Sequence, residues 1–374
     1  MRNSLAAATR IGLWPPFPLQ SVYSRPASVP FPLSDPRCRV YSLARQGLWH
    51  GVRALGFEVG DEVLVPAYHQ GAEIEAFSQA GLKCLFYRVD ERLEPVEADL
   101  VELAGPRTRG LHIIHYWGFP QNVARWRSWC DERRLFLIED GAQALLASSG
   151  NSSVGSAADL AVFCLYKSFG LPDGAAAICR SDLPAPRSGA RIGAGGLARR
   201  AGSALTARSR MLALVRAALV PEREESRDEG GFLAGEFELG DSHRSPTRLT
   251  SRLLQRVIDP VAAERRREHY AFLLGRLRHR VPAPFDVLPD GAVPIAFPLE
   301  VDNGLKAAAS LRPMGIAAGV LWPTRHPIVP AGQWERADYF RDHVLALPVH
   351  QELTAEHLER IAVAASGIPL RAQA

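Results

Sequence analysis

The chain has 374 residues, 47% of them apolar and 22% charged, which is enough for one large α/β domain plus a smaller one and excludes disorder over most of its length. No run approaches a membrane-spanning length and the first residues lack the continuous apolar stretch of a leader peptide, so a cytoplasmic protein with no membrane partner is expected. A formal charge of +4 comes from 44 cations against 40 anions, and the densest basic stretch, Arg187 to Arg227, has almost no aromatics, so no nucleic-acid partner is expected.

Residues 1–38 are rich in proline and read as an arm. From Val40 to Cys179 short apolar runs alternate with helical patterns. Strands are expected at Val63 to Val65, Cys84 to Tyr87, Leu111 to Tyr116, Leu135 to Ile138, Leu160 to Leu165 and Ala175 to Cys179. Helices are expected at Leu48 to Leu55, Ala72 to Ala80, Val96 to Leu103 and Val123 to Arg133. This alternation predicts an α/β fold on a mainly parallel sheet covered on both faces. Residues 181–245 read as a long crossing loop with one helical pattern, Met211 to Leu219. A long helix is expected from Leu249 to Arg278. The remainder, with strands at Val293 to Phe297 and Ala317 to Leu321 and a helix at Ala355 to Ala365, suits a small α+β C-terminal domain. The expected division is an arm at 1–38, a large domain at 39–248, and a bridging helix with the small domain at 249–374.

Chemistry concentrates between residues 135 and 174. The apolar run Leu135 to Ile138 ends in Glu139-Asp140-Gly141-Ala142-Gln143, and a carboxylate at the end of a parallel strand points into the ligand crevice of an open α/β sheet. Asp140 serves equally well as the N-cap of a helix over Ala142 to Leu146. A second apolar run, Leu160 to Leu165, is followed by Tyr166-Lys167-Ser168 and the turn Pro172-Asp173-Gly174. A lysine there is either an exposed strand-end cation or a paired or covalently used amine. Only three lysines, Lys83, Lys167 and Lys306, are available as amine nucleophiles.

Other patterns carry less. Gly193 to Ala198 matches the dinucleotide fingerprint but follows a Pro/Ser-rich loop and lacks the acid about twenty residues on. His112 and His115 face opposite sides of a strand, so no metal site is expected from them. The serines at 148–149 and 152–153 have no nearby histidine partner. Five dispersed cysteines, Cys38, Cys84, Cys130, Cys164 and Cys179, suit a reducing compartment and form neither a disulfide frame nor a zinc site.

Four motifs in order carry a family resemblance. Ala44 to Leu48, Gly60 to Pro66, Glu139 to Ala144 and Lys167 with Pro172-Asp173-Gly174 resemble the DegT/StrS group of fold-type-I aminotransferases that use pyridoxal 5′-phosphate (PLP). The resemblance runs from about residue 40 to 180 and resumes at Ser245 to Leu277 and Leu345 to Thr354. It implies amino transfer from a donor such as glutamate to a keto group on a nucleotide-linked sugar, in a homodimer; the alternatives are other PLP chemistry on the same fold, or a catalytically silent homologue that binds a sugar nucleotide or a partner. It also implies a catalytic Lys167 that holds the cofactor as a Schiff base, Asp140 on the pyridine nitrogen and Gln143 on the phenolic oxygen. The phosphate falls at the first helical turn, with Ala44, Arg45 and Gln46, and with Cys164 where many members have a serine. His69, with Tyr68 as the alternative, falls where a ring is expected to stack on the cofactor. This chain departs from the family at Ala44-Arg45, where Gly-Thr or Gly-Ser is usual, and at His69-Gln70. It also has no clear asparagine near Asp241 to Arg244.

Overall fold

A computed structural model describes residues 10–18, 28–187, 238–330 and 334–371. The expected helix at Met211 to Leu219 and the glycine-rich Gly193 to Ala198 lie outside the described residues, as does most of the crossing loop.

The first half builds one seven-stranded sheet. In chain order it contains β1 (Arg39–Tyr41), α1 (Ala44–Ala54), β2 (Glu62–Pro66), α2 (Ala72–Gln79), β3 (Lys83–Tyr87), α3 (Glu97–Leu103), β4 (Thr108–Ile114), α4 (Val123–Arg133) and β5 (Phe136–Asp140). A serine hairpin, β6 (Ser148–Ser149) and β7 (Ser152–Ser153), precedes β8 (Leu160–Cys164), α5 (Leu165–Phe169) and β9 (Ala175–Cys179). The strand order is β1-β9-β8-β5-β4-β2-β3. The steps from β8 through β5, β4 and β2 to β3 are parallel, and β9 runs antiparallel to both β8 and β1. The mainly parallel sheet is therefore present, and β1 runs in the same direction as β8. The central strands read as unbroken apolar runs because both faces are covered: all five residues of β8 and of β9 are buried.

Helix α1 lies very close to the sheet. A Cβ at Gly47 would stand 2.7 Å from the Ala177 Cβ, and one at Gly51 would run into the Leu160 side chain. These glycines, one helical turn apart, let the backbone touch β8 and β9 and fix where the N-terminus of α1 points.

Four expected elements differ. Tyr116 falls in a 3-10 turn past β4 and not in the strand. The single helix expected from Leu249 to Arg278 is two, α6 (Arg248–Val257) and α7 (Val261–Leu277), because Pro260 cannot donate a backbone hydrogen bond and Asp259 caps the restart through the Val261 amide at 2.9 Å. Ala317 to Leu321 makes only isolated bridges, Gly319 to Ala346 and the adjacent Ile316 to Ile11. Beyond α7 the chain forms a small two-stranded antiparallel sheet, β10 (Phe297–Glu300) with β11 (Val344–Leu347), packed with α8 (Gly304–Leu311), α9 (Glu335–His343) and α10 (Ala355–Ser366). Residues 293–296, expected as a strand with Phe297, instead run extended against the 3-10 turn, with Val293 bonded to the Gly118 carbonyl and Ile295 to that of Trp117. The arm is not peripheral: Ile11 is 2% exposed and exchanges main-chain hydrogen bonds with Gly315 and Ala317.

Candidate active site

The C-terminal ends of β1, β2, β4, β5 and β8 open on one cavity. It is lined by Leu43, Ala44, Arg45, Leu48, Gln70, Ala72, Glu73, Ile114, Asp140, Ala142, Gln143, Cys164, Tyr166, Lys167 and Trp322. Of the residues expected at the site, Lys167, Asp140, Gln143, Arg45, Ala44 and Cys164 are thus brought together.

Asp140 is the last residue of β5, between Ile114 of β4 and Val162 of β8. Its Oδ1 accepts from the Ala142 amide at 2.7 Å, but turns and no helix follow, so the helix N-cap reading fails. Burial raises the Asp140 pKa, against the Ala142 amide and the charge of Lys167. Lys167 sits in the short helix α5 directly after β8. Burial works against its charge, but the acidic neighbours Cys164, Tyr166, Asp140 and Glu73 outweigh it, and its pKa is raised. The other two lysines are exposed. Gln143 accepts from the Trp117 amide at 2.6 Å through Oε1, which leaves its amide nitrogen as the donor on offer.

The expected phosphate end falls at the first turn of α1, where the leading amides have no intrahelical partner. Arg45 lines the cavity, and its Nη1 also donates to the Glu238 carbonyl at 2.9 Å. Gln46 corrects the expectation. It is 1% exposed; its Oε1 accepts from the Leu43 amide at 3.1 Å and from Ser42, and its Nε2 donates to the Asp241 carbonyl at 2.8 Å. Being the third helical residue, it turns back over its own N-terminus and caps it. The segment at 241–244, where the asparagine was sought, lies along α1 of the same chain, with His50 Nε2 3.0 Å from the Ser242 carbonyl and the Ser42 amide on the Arg244 carbonyl.

His69 is likewise displaced from its expected role. It is fully buried, with Nδ1 2.8 Å from the Pro66 carbonyl and its ring stacked on Phe86 at 5.8 Å, and Gln70 takes the place on the cavity wall. Tyr68 is also buried, against Tyr116 and Trp322. Burial first, with nearby cations second, pushes the His69 pKa down to about 3. The residues missed in the sequence are Gln70, Glu73, Tyr166 and Trp322. Trp322 arrives from beyond α8 with φ of 60°, a conformation costing about 1–3 kcal/mol that its neighbours must enforce. Its only signal was a tryptophan in a proline-flanked turn.

Behind the cavity the conserving contacts are main-chain and polar. Asp173, in the turn after α5, accepts from the Thr247 amide and from the hydroxyls of Thr247 and Thr250, fixing the start of α6. His115 and Glu139 pair in the core at 2.9 Å, and the Gln121 amide donates to His115 Nδ1, which puts the ring proton on Nε2. His112 goes elsewhere: it, Glu73 and Asp140 each place one ligand-type atom within 4.8 Å of the others.

The donor set fits PLP: a buried carboxylate for the ring nitrogen, an amide donor beside it, one lysine opening on the same space, and an arginine at a helix N-terminus for the phosphate. The mainly parallel seven-stranded sheet and the smaller α+β unit that follows it share the fold of solved aminotransferase structures. Residues 40–183 match the model of the DegT/DnrJ/EryC1/StrS aminotransferase family. GDP-perosamine synthase of Vibrio cholerae is 29% identical over 133 residues, 35% of this chain and 36% of that protein, so the match spans about a third of the relative's length. The aminotransferase TlmJ from Streptoalloteichus hindustanus superposes with a TM-score of 0.64 at 22% identity, covering 88% of this chain and 84% of that one. NtdA of Bacillus subtilis, solved with bound cofactor PMP, superposes with a TM-score of 0.60 at 17% identity over 88% of this chain and 72% of that one. Among the described residues no helix is long and apolar enough to cross a membrane.

Proposed function

We propose that this chain is a PLP-dependent aminotransferase that moves an amino group from an amino acid such as glutamate to a keto group of a nucleotide-linked sugar. The observation that carries the reading is the convergence of Lys167, Asp140 and Gln143 on one cavity that also takes in Ala44 and Arg45. The kinship of residues 40–183 and the name of the perosamine synthase support the substrate class.

When bound, PLP supplies an electron sink for the pair left on the substrate carbon. Lys167 would hold the cofactor and would take up and return the substrate's proton at its Nζ. Asp140 keeps the ring nitrogen protonated. Gln143 donates to the phenolic oxygen, and the α1 amides with Arg45 bind the phosphate. Trp322 and Tyr166 wall the cavity and limit water. The reading includes a homodimer, a cytoplasmic location, a large domain at 39–248 and a bridging helix with a small domain at 249–374.

Borohydride reduction of the purified protein with PLP, followed by peptide mapping, tests the anchor. Label on Lys167 is expected, and label on Lys83 or Lys306 overturns it. A panel of keto-sugar nucleotides with amino-acid donors, read by product mass, tests the transfer. Light scattering of active protein tests the dimer, and an active monomer refutes it.

A further inference from the structure

Glu73 has no assigned role, yet it is placed where a carboxylate is costly. It is the second residue of α2 and is 4% exposed. Its Oε1 accepts from the Gln70 amide and its Oε2 from the Gly71 amide, both at 3.1 Å. Those bonds cap its own helix. They do not explain why the carboxylate also stands within 4.8 Å of a second, half-buried carboxylate, Asp140, and of His112. His112 is wholly buried with neither ring nitrogen hydrogen-bonded, and its ring meets Phe77 edge-on at 5.3 Å. An unpartnered histidine beside two acids is arranged to take or give a hydrogen bond to one of them.

We propose that Glu73, with His112 behind it, is a positioning residue for the cofactor's ring nitrogen: it holds Asp140 and shares a proton with it, so the charge facing the ring is set by a carboxylate pair and not by Asp140 alone. The proposal rests on the reading of the cavity as a PLP site.

Two like charges at this spacing, one buried and one half-buried, cannot both ionise cheaply, so one proton is retained by the pair. Burial first, and Asp140 second, push the Glu73 pKa up to about 7. Burial and then His115 push the His112 pKa down to about 3, so His112 brings no charge to the pair. The titratable groups facing Glu73 are Asp140 on β5, His112 on β4, Tyr116 past β4, Cys84 on β3 and Lys167 on α5, of which Lys167 is the cation. Below about pH 7 the pair carries one negative charge, on Asp140. Above it the proton leaves Glu73 for solvent, and a second negative charge favours the protonated ring nitrogen and the Lys167 ammonium further.

The test has two arms on the full chain. In the PLP-loaded protein, the visible cofactor band is followed from about pH 5 to 9 in wild type, Glu73→Gln and Glu73→Asp. Wild type is expected to show an inflection near neutrality, Glu73→Gln to lack it and Glu73→Asp to recover it in part; identical profiles overturn the proposal. In the cofactor-free protein, carboxylate carbon NMR follows Glu73 directly. Asp140→Asn is expected to lower its titration by at least about one pH unit, and an unmoved Glu73 overturns the coupling. A wild type that binds no PLP overturns the proposed function, while the NMR arm still decides whether the carboxylates are coupled.

Discussion

Arg266 of α7 donates from Nη2 to the main-chain carbonyl of Ser168 at 2.6 Å, one residue past Lys167. Gln351 donates to the same carbonyl at 3.0 Å and accepts from Arg266 Nε at 2.9 Å. The lysine-bearing turn is thus gripped from outside the sheet by two buried side chains. Burial lowers the Arg266 pKa to about 10, which leaves it charged at neutral pH. Arg266→Met is expected to cost about 1.5–3 kcal/mol of stability, the value of hydrogen bonds to a charged group. Urea unfolding measures it, and an unchanged midpoint shows that Gln351 suffices.

Asp140→Asn removes the charge proposed to keep the ring nitrogen protonated while preserving an acceptor for the Ala142 amide. Cofactor is expected to remain bound and the transfer rate to fall at least about 100-fold, as for loss of one preorganised electrostatic partner. Single-turnover kinetics read this directly. A near-normal rate would leave Asp140 only the task of tying the Ala142 amide.

Arg45→Ala is expected to weaken PLP binding about ten- to a hundredfold, equivalent to about 1.5–3 kcal/mol for a charge-assisted contact to phosphate. Arg45→Lys restores part of it, since an ammonium cannot bind two oxygens in the fork geometry. Titration of the cofactor-free protein gives both constants. An unchanged value in Arg45→Ala places the phosphate elsewhere.

Glu73→Gln also makes a prediction about stability. The folded-state pKa of Glu73 is raised to about 7, above the ordinary carboxylate range. A group raised in this way contributes stability that is full below its unfolded pKa and lost as pH climbs through the folded one. Between about pH 4.5 and 7 the wild type should therefore lose on the order of 2–3 kcal/mol relative to Glu73→Gln. Denaturation at both ends of that window checks the sign, and a constant difference refutes it.

The parts legible in the sequence are those written in local pattern. Strands β5 and β8 are apolar because both faces are covered, so the polar residues at which the apolar runs stop, Asp140 at the end of β5 and Lys167 just past β8, mark the sheet's C-terminal edge. Residues whose role depends on the direction of a side chain were not legible. Gln46 and Gln70 carry the same amide, yet one folds back on its helix and the other lines the cavity. His69 reads as a stacking ring by position, and only the turn after β2 shows it facing inward to Phe86. Trp322 depends on the packing of the second domain against the first, which no local spacing encodes. The Pro260 break was visible as a letter, but the apolar period on either side masked it.

The pairing of Ile11 with Ile316 joins two residues far apart in sequence. A ribosome releases Ile11 long before Ile316, so the first segment must wait, unpaired, while the seven-stranded sheet is made. Its apolar side chain has no burial site of its own until the second domain condenses around it. Closing so long a loop costs little more than closing one of half the length, since the entropy grows only with the logarithm of the span. What the arrangement does cost is time: a contact of this separation belongs among the last to form. A covalent extension placed just ahead of Ile11 would travel with a late-docking segment, and would be felt in the rate of maturation before it was felt in the finished fold.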